Sequence, residues 1–320
     1  MVETVSKAAD ICVLAKDFVE TAEGLVFAVV ESGLEQGKVL CFLRYIKLNK
    51  QWNKLNTEQA NQLLTDQYPH YLYYSLIKQA HCHALNLEDI VKYHQPKTRL
   101  KQLFLANDLD DVESDCASLC TLFQKQGLAI DQIGITGSIL ISAQKQSSDI
   151  DLVVYGREHF HAVRAIIRRL LAQQKLQPLA AVDWQSSYQR RDCDLSYETY
   201  VWHEQRKYNK ALIHQRKFDL NLIVLEQAPD TTIYEKQGTL ILQAQVLNAD
   251  YAFDYPSRFL IQHPNITEVV CYTATYTGQA KAGEWVKVAG IVEQSINGDK
   301  RIVVGSNREA RGEYIKVINA

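Results

Sequence analysis

The sequence has no stretch long and apolar enough to span a bilayer: no apolar run approaches the roughly 20 residues a membrane helix needs. The N-terminal "MVETVSKAADICVLAKDF" also lacks the uninterrupted apolar centre of a secretory signal. There is no excess charge of one sign, since 35 Lys and Arg stand against 37 Asp and Glu for a net charge of −2. Attraction to nucleic acid must therefore be local if it exists at all. Paired cysteines are missing too. The seven cysteines are scattered and odd in number, as expected of reduced thiols and not of a disulfide framework. No repeat of solenoid or propeller length runs through the chain. These absences predict a cytoplasmic protein with no membrane partner.

What is present is enough sequence for several domains with a sizeable core: 320 residues, of which 47% are hydrophobic. Residues 1–55 read as a β-rich segment, with "KDFVET", "GLVFAVV" and "KVLCFLRYI" as strands. Residues 56–105 read as helical, through "NTEQANQLL", "HYLYYSLIKQAHCHA" and "LEDIVKYH", with Pro96 ending one element. In 106–236, "DDVESDCASLCTLFQKQG" is a helix closed by Gly127, with Val112, Leu119, Leu122 and Phe123 on one face. "HFHAVRAIIRRLLAQQ" is another, burying Val163, Ile166, Ile167, Leu170 and Leu171 and presenting Arg164 and Arg168 on a solvated face. Residues 237–320 form an all-β module of five or so short strands divided by Gly, Pro or Asn-Gly, for which an OB-like barrel is one arrangement. The fold class expected is α+β.

The chemistry concentrates in "GITGSILISAQKQSSDIDLVVYG", residues 134–156. Residues two apart on a strand share a face, so Asp149 and Asp151 project together while Ile150 and Leu152 project the other way. Two adjacent carboxylates repel and call for a compensating cation. Mg²⁺ suits them, as a hard ion satisfied by carboxylates, water and substrate phosphates. Gly137 and Ser138 supply a backbone and hydroxyl that can approach phosphate oxygens at the start of a helix. A phosphate cradle beside a carboxylate pair is the equipment of phosphoryl or nucleotidyl transfer.

Gly-Ser, a ten-residue spacer and Asp-Ile-Asp-Leu resemble the signature of nucleotidyltransferases related to DNA polymerase beta. The resemblance is strongest to the archaeal-type uncharacterised "predicted nucleotidyltransferase" group, and also draws on "EGLVFAVV", "YTATYTGQA" and "REARGEYI". It implies a polymerase beta-like core of mixed sheet and helices in 106–236. It implies an enzyme using one or two Mg²⁺ ions, or Mn²⁺, to transfer a nucleotide from an NTP to an acceptor hydroxyl with release of pyrophosphate. The acceptor is an RNA end, a small molecule or a protein. A third carboxylate on a later strand completes the metal site in that superfamily, and Asp219 in "RKFDLNLIV" is the matching residue. Ser148, Arg206, Lys207 and Lys217 join Gly137 and Ser138 as nucleotide-binding candidates, the basic ones because they cluster just before the Asp219 strand.

Other constellations carry less. "WHEQRKYNK" has Lys207 where a zincin needs its second histidine. "HCH" (His81, Cys82, His83) and the Cys116/Cys120 pair lack partner motifs at zinc-binding spacing and read as core or surface residues. The segment from Gly238 holds as many Lys and Arg as Asp and Glu, whereas phosphate-tracking grooves are basic. Two alternatives stand beside the enzyme: an NTP-binding regulator without turnover, and a nucleic-acid-binding protein acting through its C-terminal barrel.

Overall fold

The computed structural model describes residues 13–225, 232–305 and 311–319. Cys12 and the start of "REARGEYI" lie outside them. The fold is α+β, divided into two compact units. Among the described residues the first holds 13–75, 81–159 and 225; the second holds 76–80, 160–224, 232–305 and 311–319.

The first unit opens with strands β1 (Phe18–Thr21), β2 (Leu25–Val29), β3 (Lys38–Leu48) and β4 (Gln51–Lys54) and helix α1 (Thr57–Gln67). Then come β5 (Leu72–Ser75), β6 (Ala80–Asn86), β7 (Ile90–His94), α2 (Pro96–Leu105) and α3 (Asp111–Lys125). It closes with β8 (Ile133–Thr136), the four-residue helix α4 (Gly137–Leu140) and β9 (Ile150–Tyr155). The first seven strands make one sheet in the order β5-β6-β3-β2-β1-β7, with β4 beside β3. Both faces of this sheet are covered, which is why "GLVFAVV" is apolar without alternation. Leu25, Phe27, Leu43 and Cys41 pack with Ala60 and Leu64 of α1, while Phe18, Val26 and Tyr45 pack with Leu140 and Ile141.

The helical expectation for 68–94 does not hold: "YLYYSLIKQAHCHA" is the pair β5 and β6, and "IVKYH" is β7. Sheet partners decide the matter. β6 pairs antiparallel with β3, Cys41 opposite His83, and β7 pairs with β1, so β-capable aromatic and branched residues complete a sheet whose centre is strongly apolar. His83 is buried. Its Nδ1 accepts the Leu43 N–H at 3.1 Å, and its Nε2 lies 2.9 Å from Asn61 Oδ1. The "HCH" histidine is thus a satisfied core residue. Helix α3 forms as expected, but Cys116 and Cys120 fill its buried face and Leu122 is only half-buried. None of the six described cysteines is in a disulfide.

The second unit takes most of α5 (Arg157–Ala172), then α6 (Ala181–Arg191), α7 (Tyr197–Gln205), β10 (Lys210–Ile213) and β11 (Arg216–Ile223). Six strands follow: β12 (Tyr234–Asn248), β13 (Ser257–Gln262), β14 (Glu268–Cys271), β15 (Trp285–Ser295), β16 (Lys300–Val304) and β17 (Tyr314–Asn319). They run in the order β12-β13-β14-β16-β15-β17, and β12 also pairs with β15. The pairings β12-β13-β14-β16-β15-β12 therefore return to their start, with β14 and β16 parallel and the others antiparallel. Inside lie Val246, Phe259, Ile261, Val269, Val288 and Ile302, in one apolar cluster with Trp184 and Tyr200 of α6 and α7. Arg164 departs from the solvated face read for α5: its guanidinium lies 3.9 Å from the Phe253 ring centre and its Nε donates to Lys207 O. Burial pulls its pKa down to about 10.

Candidate functional site

The Gly-Ser turn and the carboxylate pair meet in the first unit. β8 is buried throughout, and β9 alternates until it becomes wholly apolar after Asp151. The two strands are antiparallel, with Thr136 opposite Asp151 and Ile135 opposite Leu152. Ile150 is fully buried, and the half-buried Asp149 and Asp151 flank it. Asp149 itself stands just before the strand begins.

Gly137 has a φ of +68°, a conformation that glycine adopts without penalty. A Cβ at this position would collide with Asp151 Oδ2 and stand 3.0 Å from its Cγ. The nearest reason for glycine here is accordingly Asp151 itself, whose carboxylate lies against the bare Cα. Half-buried Ser138 follows on α4, and its carbonyl accepts the Ala143 N–H at 2.9 Å. Leu140 and Ile141 seat this short helix on the sheet beside Tyr45. Burial raises the Tyr45 hydroxyl to about 12; Arg44 opposes that shift, and the charge of Asp151 adds to it.

Three anchors hold the turn. Thr136 Oγ1 donates to Lys16 O at 2.8 Å. Arg99 Nε donates to Ile139 O at 2.9 Å, and its guanidinium is ion-paired with Glu113 of α3. Gly134 lets α2 close in, because a Cβ there would fall 2.6 Å from Pro96 Cβ. The loop between α4 and β9 is pinned to the start of α3, where Gln144 and Gln146 donate to Asp110 and Asp111. Ser148 is part of that loop's own turn: its Oγ accepts the Lys145 N–H at 2.9 Å, and its N–H donates to Lys145 O. Arg99 escaped the sequence reading because a lone arginine on an amphipathic helix carries no signal of what it grips.

A further carboxylate of the first unit carries no signal in the sequence. Asp17 is buried at 3% exposure, and its Oδ2 accepts the Leu14 N–H at 3.1 Å. Burial, partly offset by that hydrogen bond, lifts its pKa to about 7. Its charge also adds to the burial that raises the hydroxyl of Tyr155, the last residue of β9.

Asp219 is in the second unit, on β11, where Phe218, Leu220 and Leu222 turn inward and Lys217, Asp219 and Asn221 share the other face. Its cross-strand neighbour is Lys210, whose Nζ is 3.9 Å from Asp219 Oδ2, and Asn209 Nδ2 donates to Oδ1 at 3.3 Å. Lys210 also pairs with Glu204, which takes a second ammonium from Lys207 at 2.5 Å. Burial works to raise the Glu204 carboxyl, but the two lysines outweigh it and hold the pKa at about 2.

The basic candidates thus separate. Lys207 is 2% exposed and donates to Glu204 and to Thr275 O, an interior placement that takes it away from a solvent-facing phosphate role. Arg206 is ion-paired with Glu284 and lies 4.4 Å over the Trp202 ring. Lys217 is half-buried on the Asp219 face. Lys210 is the neighbour of Asp219 that the sequence reading passed over.

Among the described residues no group of three or more His, Cys, Asp and Glu is gathered as a metal-holding cluster. The first unit nevertheless offers a hard-oxygen donor pair, Asp149 and Asp151. That fits Mg²⁺, which takes one or two carboxylates and completes its shell with water and substrate phosphate.

No family profile matches the chain, and no solved structure matches it. It is similar to an uncharacterised protein of Methanocaldococcus jannaschii, MJ1086, with 33% identity over 334 aligned positions that cover 94% of this chain and 98% of the relative.

Proposed function

We propose, for a chain that belongs to the same family as the uncharacterised M. jannaschii protein, that it is a Mg²⁺-dependent nucleotidyltransferase. The observation that carries the reading is the apposition of Gly137 and Asp151. The glycine of a Gly-Ser turn leads straight from one buried strand into a helix, and the second carboxylate of an Asp-Ile-Asp motif lies against it from the paired strand. In this reading residues 106–236 are a polymerase beta-like core, and the closed order of strand pairings supports an OB-like barrel for the C-terminal module. The protein is assigned to the cytoplasm.

Asp149 and Asp151 would hold the ion, and Asp219 would be the third carboxylate that the signature demands. When bound, Mg²⁺ supplies charge stabilisation for the transferred phosphoryl group and a lowered pKa for the attacking hydroxyl. Gly137 and Ser138 present backbone and hydroxyl to the NTP phosphates. Lys217 is assigned to phosphate charge, whereas Arg206 and Lys207 serve their own ion pairs. Lys210 and Asn209 hold the Asp219 carboxylate in a fixed orientation.

The test is incubation with each α-labelled NTP, Mg²⁺ and cell lysate or total RNA, following pyrophosphate release and the destination of the label. Label in RNA, a small molecule or protein identifies the acceptor. Asp149→Ala should lose both nucleotide binding and turnover. Asp219→Ala should keep much of the binding yet lose about a hundredfold or more in rate, the scale for removing one well-placed electrostatic group. Normal turnover by Asp219→Ala would remove that residue from the site. NTP binding without pyrophosphate release under every condition would instead favour the regulator.

The strand pairings that close on themselves favour one second reading, nucleic-acid binding by the barrel alone. It requires an affinity that falls steeply with salt and is indifferent to Asp149→Ala.

A further inference from the structure

A cavity of about 340 Å³ opens in the first unit between α2, the end of α3 and the start of β8. We propose that it binds a small amphiphilic carboxylate, an acyl chain or aromatic ring carrying one negative charge. None of the residues lining it is a proposed nucleotide- or metal-binding residue.

The cavity is within the size range of small-molecule sites. Its interior is apolar: Leu100 and Ile133 are 1% exposed, and Ile130 lines it beside them. At the mouth Phe104 is 41% and Leu105 82% exposed, two large apolar side chains left in water side by side. Adjacent apolar exposure of this kind on a cavity's edge is what a ligand would cover.

The charges set the class of that ligand. Lys97 and Lys101 both line the cavity and, four residues apart on α2, lie one above the other on a single helix face. Among the described residues neither has a carboxylate within ion-pair distance. The Lys97 ammonium instead rests 4.1 Å from the centre of the buried Tyr155 ring. Asp131 is the lining residue of opposite charge, so the three together carry a formal +1. That balance matches one anionic group. A polyphosphate would place several charges against apolar walls with a carboxylate among them, which costs more than two lysines return. A neutral ligand would fill the walls and leave the ammonium groups without their counter-charge.

The measurement is calorimetric titration of the full chain with octanoate and with octanol, which share a chain and differ in charge. Octanoate is expected to saturate and to bind about tenfold or more tightly than octanol, because only its carboxylate can pair with the two ammonium groups. K97Q/K101Q should bring octanoate down to the level of octanol, with the circular dichroism spectrum unchanged. K101Q alone alters only an exposed side chain and should give part of that loss should the double variant fail to fold. Bound octanoate should also slow amide exchange in 97–105 and 130–133. Equal affinity for both probes, wild-type octanoate affinity in folded K97Q/K101Q or K101Q, exchange slowing elsewhere, or no saturation below the micelle concentration would each overturn the proposal.

Discussion

The side chain that position 137 lacks lets Asp151 lie where it does. Alanine there meets a collision with Asp151 Oδ2 and an unfavourable φ of +68°, which by itself costs about 1–2 kcal/mol. Gly137→Ala should therefore lower the denaturation midpoint modestly and weaken Mn²⁺ binding, read from its paramagnetic resonance signal, far more than the fold. Unchanged Mn²⁺ affinity in the folded variant would argue against a metal on Asp151. Asp17 makes a different prediction. Its pKa is about 7 in the folded protein and 3.8 ordinarily, so the folded state holds a proton that the unfolded chain gives up. Stability drawn from this position is fully present below pH 3.8 and is lost as pH rises through 7. Asp17→Asn keeps an acceptor for the Leu14 N–H without the charge. It should be the more stable protein at pH 8, by up to about 4 kcal/mol from the three-unit shift, and should lose that advantage near pH 4. Parallel stability curves for the two proteins would refute it. The half-buried positions of Asp149 and Asp151 on either side of buried Ile150 were legible because strand alternation is local. Asp17 was not, because its burial comes from a sheet assembled across residues 18–94, with His94 opposite Phe18.

Among the elements, α3 shows what short-range sequence can specify. Its Asp110 accepts the Glu113 N–H at 2.8 Å and Glu113 reaches back to the Asp110 N–H, the capping box that "DDVE" announces. Asp110 also accepts Gln144 Nε2 from the loop before β9. Asp110→Ala should cost about 1 kcal/mol for the lost cap, measured by urea unfolding, and should also speed amide exchange in 142–149. Loss of stability without the exchange effect would mean that the loop does not depend on this tie. The segment 68–94 shows the limit of such reading. Its polar and aromatic residues satisfy a helical period on paper, and only the presence of β3 and β1 as partners makes strands of β6 and β7. Propensity is weak against a ready sheet edge. Cys116 and Cys120 were set aside as metal ligands on spacing alone, and their burial on α3 gives them a packing role instead.

Across the molecule each unit has its own core, and in the second a chain of ion pairs joins Lys207, Glu204, Lys210 and Asp219. Glu204 is buried between two ammonium groups, so removing one leaves charge without compensation. Lys210→Met should destabilise by about 3–5 kcal/mol, the scale for breaking one side of a buried pair, and Lys210→Arg should restore most of it. A methionine variant as stable as the parent would mean that Lys207 alone satisfies Glu204. The sequence revealed the all-β character of this region and its strand number to within one, because Gly, Pro and Asn-Gly mark the breaks. It did not reveal the order of pairing, since distant strands leave no local trace of each other.

That order bears on how the chain acquires its structure in time. β15 is hydrogen-bonded to β12, β16 and β17, so three partners wait on one strand. The β15–β16 hairpin closes across Asn297-Gly298, with Gln294 opposite Lys300, a short loop that can form within microseconds. β12 must instead find its register from Tyr234 opposite Ser295 to Gln245 opposite Trp285, across an intervening chain that holds two other strands. Long-range pairing of this kind makes for slow folding. The expected sequence is an early β15–β16 hairpin, β12 docking at the barrier, and β17 last. Until β17 arrives, the β15 edge from Trp285 to Ala289 lies open to any other strand, and newly made chains should be most prone to aggregate in that interval.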